Sequence, residues 1–232
     1  MNLILQTIPS TIISEIIATS TFDGVVLDTE HGVFNNETLY SCIQIITAHQ
    51  KQCFVRFTDL NKQLIRMCLD AGVSGVIFST IETKDAGKEI VDFCRYPLYN
   101  GKRGCGLVRE NDWGDKKLAI NNPMVIGQIE TKLAVDNIDD ILDCGFDMFI
   151  TGPYDLSNSL GCVEDWTSEL YLSYISKIYD KIPHDKLGLF LPSIKIIQNF
   201  NESKEKSLSL LILGLDASFI KMGIDTIKDI LS

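Results

Sequence analysis

Asp28, Glu30 and His31 stand together in GVVLDTEHGVF, where an apolar run gives way to polar residues. Arg56 ends another such run, Gln128 and Glu130 close MVIGQIE, and FITGPYDLS places Thr151, Gly152 and Asp155 after a third. Glu130 follows residues that read as fully buried, so its carboxylate must be paired, protonated or bound to metal. Glu130 and Asp155 are too few to saturate an ion, but an oxygen-rich site with open positions suits Mg2+ or Mn2+. Asp28 can hold one ring nitrogen of His31 and leave the other as a base. Arg56 supplies a fixed cation for an oxygen that gains charge. Metal, base and cation together describe proton abstraction α to a carbonyl, with an enolate as intermediate. Each residue also has a plainer reading. His31 can be an ordinary loop histidine, Asp28 a turn cap, and Arg56 a salt-bridge partner. Gly152 and Pro153 can be simple turn residues, and Asp155 the N-cap of a helix starting at Leu156.

The elements that would gather these residues follow from the pattern of the chain. Short β-branched or apolar runs alternate with longer segments of helical spacing. Strands are expected over 3–6, 25–28, 53–56, 75–79, 124–130, 148–151, 187–191 and 210–213. Helices are expected over 10–19, 36–48, 61–71, 83–94, 131–143, 166–180, 193–200 and 215–231. Asn35 or Asn36 and Thr83 read as caps, and Leu133, Val135, Ile138, Ile141 and Leu142 as one apolar stripe. Eight strand–helix units predict a single-domain (β/α)8 TIM barrel, in which residues just past the strand C-termini meet on one face. An open doubly wound sheet is the rival, but the Gly-rich turn it wants after an early strand is missing. Segment 95–123 lacks periodicity, and a connection that long is usually functional or an interface element.

The 232 residues suit one domain. A formal net charge of −10 argues against generic binding to nucleic acid or an anionic membrane. The seven cysteines are scattered without metal-binding spacing, as expected of reduced thiols in a cytoplasmic protein. The opening MNLILQTIPS has no basic region or cleavage-like site, and no apolar run is long enough for a membrane span.

LDTEHGVFN, VRF at 55–57, RYPLYNGKRGCG at 95–106, QIETKLAVDNIDDIL at 128–142 and ITGPYDLSNSLG at 150–161 resemble, in order and spacing, the HpcH/HpaI family of class II pyruvate aldolases. The resemblance covers roughly residues 10–220. It implies a (β/α)8 barrel assembled as a hexamer by helix exchange. It also implies cleavage or formation of a 4-hydroxy-2-oxo acid from pyruvate, or a close 2-oxo acid, and an aldehyde. By this resemblance Glu130 and Asp155 bind a divalent metal (Mg2+, Mn2+ or Co2+), Arg56 stabilises the enolate oxygen, and His31 with Asp28 is the base. Gln128 lies near the metal, and the turn Gly152–Pro153–Tyr154–Asp155 offers backbone N–H groups to the substrate carboxylate. The chain departs from the family at LILQTIPS and at Ser79–Thr80, both at the expected mouth, so the aldehyde pocket is expected to differ. The short stretch after the last strand predicts a shortened exchange helix.

Three other enzyme readings and one silent one compete. Decarboxylation of an oxaloacetate-like acid would use the same site, and so would an acyl-CoA lyase, although no basic cluster for CoA phosphates is visible. A Schiff base on Lys132 is a third, but Lys132 falls in a first helical turn, where a solvated lysine is far commoner. The silent reading is a barrel that binds a small acid without catalysis.

Overall fold

The computed structural model describes residues 1–117, 122–192, 197 and 208–231. Eight parallel strands close a barrel in chain order: β1 Asn2–Gln6, β2 Gly24–Asp28, β3 Gln52–Phe57, β4 Gly75–Phe78, β5 Met124–Ile129, β6 Met148–Thr151, β7 Leu187–Leu191 and β8 Leu210–Leu215. The last strand pairs with the first, with a register shift between Leu3 and Leu5. Around them lie α1 Thr11–Ala18, α2 Asn36–Ala48, α3 Lys62–Asp70, α4 Lys84–Cys94, α5 Lys132–Asp136, α6 Ile138–Leu142, α7 Pro153–Ser159, α8 Glu169–Lys181 and α9 Asp216–Leu231. The expected (β/α)8 architecture is therefore present. The helix expected over 193–200 lies outside the described residues except for 197.

Alternation along each strand sorts side chains into two cores. Leu3, Leu5, Val26, Phe54, Ile77, Ile126, Met148, Ile150, Leu210 and Ile212 fill the barrel interior. The opposite set, including Val25, Leu27, Val55, Phe57, Val76 and Phe78, meets the helices. Burying each such side chain contributes about 1.5–3 kcal/mol, which makes the barrel a rigid platform for whatever its strands carry at their ends.

Local signals set most boundaries. Asn35 caps α2 by accepting from the Thr38 N–H at 2.8 Å, and Thr83 caps α4 through Ala86. The expected helix over 131–143 is divided at Asn137 into α5 and α6, and Leu133 lies outside the apolar stripe, 47% exposed. A further helix, α7, starts at Pro153, with Gly152 as its N-cap. Asp155 consequently lies in its first turn and is not the cap.

The long connection after α4 returns the chain to the start of β5, at the end of the barrel away from the strand C-termini. Its arginines are structural. Arg95 pairs with Asp147 at 2.7 Å. Arg103 is buried against Glu110 and Asp70 and lies 4.4 Å from the Tyr96 ring centroid. Arg109 donates to the Ala71 carbonyl and to Thr47.

Candidate active site

The proposed functional residues extend the inward-facing rows by one step. Val26 is followed inward by Asp28, Phe54 by Arg56, Ile77 by Ser79, Ile126 by Gln128 and then Glu130, and Ile150 by Gly152. Each therefore leaves its strand at the C-terminal mouth pointing toward the barrel axis. Thr151, an outward neighbour, does not.

Asp28 and Arg56 are register partners on β2 and β3. Arg56 donates Nε to Asp28 Oδ1 at 2.9 Å and Nη2 to Oδ2 at 2.8 Å, a buried two-pronged pair. Its Nη1 lies 3.1 Å from Glu30 Oε2. Burial works against the guanidinium charge, but the Asp28 hydrogen bonds and the Asp28 and Glu30 carboxylates outweigh it and hold the Arg56 pKa above its ordinary value. The ring of Phe190, from β7, lies 5.9 Å from the guanidinium carbon.

This pairing corrects the expected dyad. Both Asp28 oxygens face Arg56, and Oδ1 also accepts the Glu30 N–H at 3.0 Å. That local bond curls residues 28–32 into a turn, and a Cβ at Gly32 would lie 2.2 Å from the Asp28 carbonyl. The turn sends Glu30 inward and leaves His31 exposed, with no hydrogen bond to Asp28 among the described residues. Asp28 thus orients the cation rather than the imidazole.

Glu130 is 3% exposed. Its Oε1 accepts from the Thr80 N–H at 2.7 Å and the Thr80 hydroxyl at 2.9 Å, and its Oε2 accepts from Gln128 Nε2. Burial pushes its pKa up to about 7; the Thr80 hydrogen bonds oppose this, and the Asp155 and Glu30 carboxylates add to it. Asp155 is exposed at the start of α7. Gly152 makes room for the arrangement, since a Cβ there would lie 2.7 Å from both Cβ and Oε2 of Glu130. The Gly152 amide is already bonded to the Ile129 carbonyl at 3.2 Å, so of that turn only the Tyr154 and Asp155 amides remain as donors. The Tyr154 ring packs edge-on against Trp166, centroids 5.1 Å apart.

These residues fit a divalent cation in an open site. The two carboxylates are oxygen donors close enough for one to raise the pKa of the other, and with no Cβ at Gly152 no side chain there crowds Glu130 Oε2. Among the described residues, no group of three or more His, Cys, Asp or Glu is placed to hold a metal ion, so any ion here would rest on these two carboxylates and on water or substrate oxygens. Lys132 is exposed and paired with Asp136 at 2.7 Å, which removes it as a Schiff-base lysine. The contributions of Ser79 and Thr80 do not follow from reading ligands and bases alone. Ser79 Oγ donates to Glu30 Oε1 at 3.2 Å, and the period-two continuation of β4 is the signal that marks it.

Comparison with known proteins gives a consistent picture. The family model described as HpcH/HpaI aldolase/citrate lyase matches residues 8–185. Relatives named 2-keto-3-deoxy-L-rhamnonate aldolase, from Escherichia coli (strain UMN026) and Shigella dysenteriae, are 36% identical over 155 residues, which is 64% of this chain. The match spans 58% of the length of those relatives. Among solved structures, an HpcH/HpaI aldolase/citrate lyase family protein from Burkholderia cenocepacia superimposes with a TM-score of 0.86 at 23% identity, covering 100% of this chain and 95% of that one. The citrate synthase SbnG superimposes with a TM-score of 0.80 at 28% identity, covering 97% and 90%.

Proposed function

The chain belongs to the HpcH/HpaI aldolase/citrate lyase family, and from that premise we propose that it is a carbon–carbon lyase: a metal-dependent aldolase joining or releasing a 2-oxo acid such as pyruvate and an aldehyde. The observation that carries this reading is the Arg56 cation, clamped by Asp28 and Glu30 at the mouth where Glu130 and Asp155 stand.

Two of the five Arg56 N–H groups bond Asp28, Nη1 lies in ion-pair range of Glu30, and the guanidinium keeps N–H groups for an oxygen of the keto acid as it gains charge. Because Asp28 fixes the guanidinium before substrate arrives, no reorganisation is needed when that charge develops. His31, on the exposed face of the 28–32 turn, takes the proton from the carbon next to the carbonyl and gives it to the aldol oxygen on bond formation; on cleavage it takes the proton from the aldol hydroxyl as the carbon–carbon bond breaks and gives it to the enolate carbon. Glu130 and Asp155 would hold Mg2+, Mn2+ or Co2+, with Gln128 bracing Glu130. A divalent ion bound there supplies Lewis-acid polarisation of the keto acid. The Tyr154 and Asp155 amides face the substrate carboxylate.

We propose further that the described residues act as one catalytic domain in a homo-oligomer, with a hexamer as the family's pattern. Ile220, Ile224, Ile227 and Leu231 form an exposed stripe on α9, and Ile12 and Ile16 are exposed on α1. A second copy of the chain is the partner for these faces. The cysteines are free, as in a reducing compartment such as the cytoplasm. No helix among the described residues is long and apolar enough to cross a membrane.

The test is exchange of solvent deuterium into the pyruvate methyl group, followed by NMR with Mn2+ or Mg2+ and no aldehyde present. Exchange that stops on chelation and in Arg56→Met supports the aldolase. Absence of exchange in the metal-loaded wild type would reject it.

A further inference from the structure

We infer that Thr80 determines which oxygen of Glu130 can serve a cation: it saturates Oε1 and leaves Oε2 as the single coordinating atom. The inference rests on the reading of Glu130 as a metal ligand, but it concerns a side chain outside that ligand set.

Three observations converge. Thr80 has φ +56°, in the left-handed region that β-branched residues avoid. This conformation directs both its amide and its hydroxyl at one atom, Glu130 Oε1, at 2.7 and 2.9 Å. A carboxylate oxygen offers two lone-pair directions, and two donors occupy both. Oε2 accepts from Gln128 alone, so one of its directions stays open, and Gly152 keeps the space beside it free of a side chain. The preceding residue acts in parallel, since Ser79 Oγ holds the Glu30 carboxylate at 3.2 Å. Ser79 and Thr80 thus sort the carboxylates at this side of the mouth, with Glu30 directed to Arg56 and Glu130 presented through Oε2.

Thr80 is accordingly a positioning residue. Thr80→Val keeps the β-branched shape and removes only the hydroxyl, Thr80→Ser keeps the hydroxyl, and Thr80→Gly accepts the backbone conformation while keeping only the amide. Mn2+ affinity is read from the electron paramagnetic resonance of the free ion, and ligand geometry from the visible absorption of bound Co2+. Loss of a group that orients a ligand typically weakens metal binding 10- to 100-fold, so Thr80→Val and Thr80→Gly should bind Mn2+ about 10-fold more weakly, with Thr80→Ser within about 2-fold of wild type. The Co2+ spectrum should change in the first two and be restored in the third. Should Thr80→Val not fold, Thr80→Gly carries the same expectation. Wild-type affinity with an unchanged Co2+ spectrum in the folded variants that lack the hydroxyl would overturn the role of Thr80. Wild-type protein that binds no Mn2+ would instead remove the metal reading itself, and this inference with it.

Discussion

Glu130 shows what a buried carboxylate does to the stability of its surroundings. Its pKa is raised from 4.5 to about 7, so between those values the folded protein holds a proton that the unfolded chain has released. Stability from this group is therefore complete below pH 4.5 and is lost as pH rises through 7. In metal-free protein the loss amounts to about 3 kcal/mol, which Glu130→Gln should abolish. Urea melts at pH 5 and pH 8 in a chelator check this, and equal pH dependence in wild type and variant would contradict it. Gly152 has a complementary role. Gly152→Ala forces a methyl group against Glu130 and Gln128, and we expect a cost of about 1–3 kcal/mol together with loss of Mn2+ binding. Titration calorimetry and thermal melts separate the two effects. At this scale the residue types were legible and their pairing was not. Asp28 and His31 are neighbours in sequence, so a dyad is the natural reading. The true partner of Asp28 is Arg56, across a strand register that no local pattern reveals.

At the level of elements, the strand–helix alternation and the Asn35 and Thr83 caps could be read directly, because period and capping chemistry are local. The break at Asn137 could not, because packing against the barrel decides where a helix stops, and for α7 the plainer reading of Asp155 as a cap puts the start at Leu156, three residues past the actual start at Pro153. The connection after α4 has no periodicity because ion pairs fix it. Arg103 bridges Asp70 of α3 to Glu110 and is itself only 3% exposed. Arg103→Met leaves Glu110 buried without its counter-charge and should cost about 3–5 kcal/mol. Mn2+ affinity of the folded variant should be unchanged, since the network lies at the opposite end of the barrel. A parallel loss of metal binding at temperatures where the variant is fully folded would show that the connection reaches the site.

For the whole molecule, the sequence predicted eight strands and the residues at their ends, and the closed sheet brings those ends together. The last helix, α9, runs 16 residues within the expected 215–231 and leaves most of its length exposed. Its base is fixed, because Asp216 accepts from the Thr7 amide and hydroxyl and from the Ile8 amide, joining the ends of β8 and β1. We expect Ile224→Asp combined with Ile227→Asp to lower the mass measured by light scattering, while the barrel keeps its far-ultraviolet circular dichroism. An unchanged mass would mean that other surfaces hold any assembly. The mouth itself is divided. Among the described residues, the proposed reacting groups come from β2 through β6, whereas β7 and β8 contribute Phe190 and Leu215 to the inner apolar cluster, and the Asp216 carboxylate after β8 is occupied by the end of β1. On the proposed function, reactivity and selectivity can therefore drift independently: one arc of the rim is held fixed by the Asp28–Arg56–Glu30 and Thr80–Glu130–Gln128 contacts, and the other can be remodelled to admit new co-substrates with the first left intact.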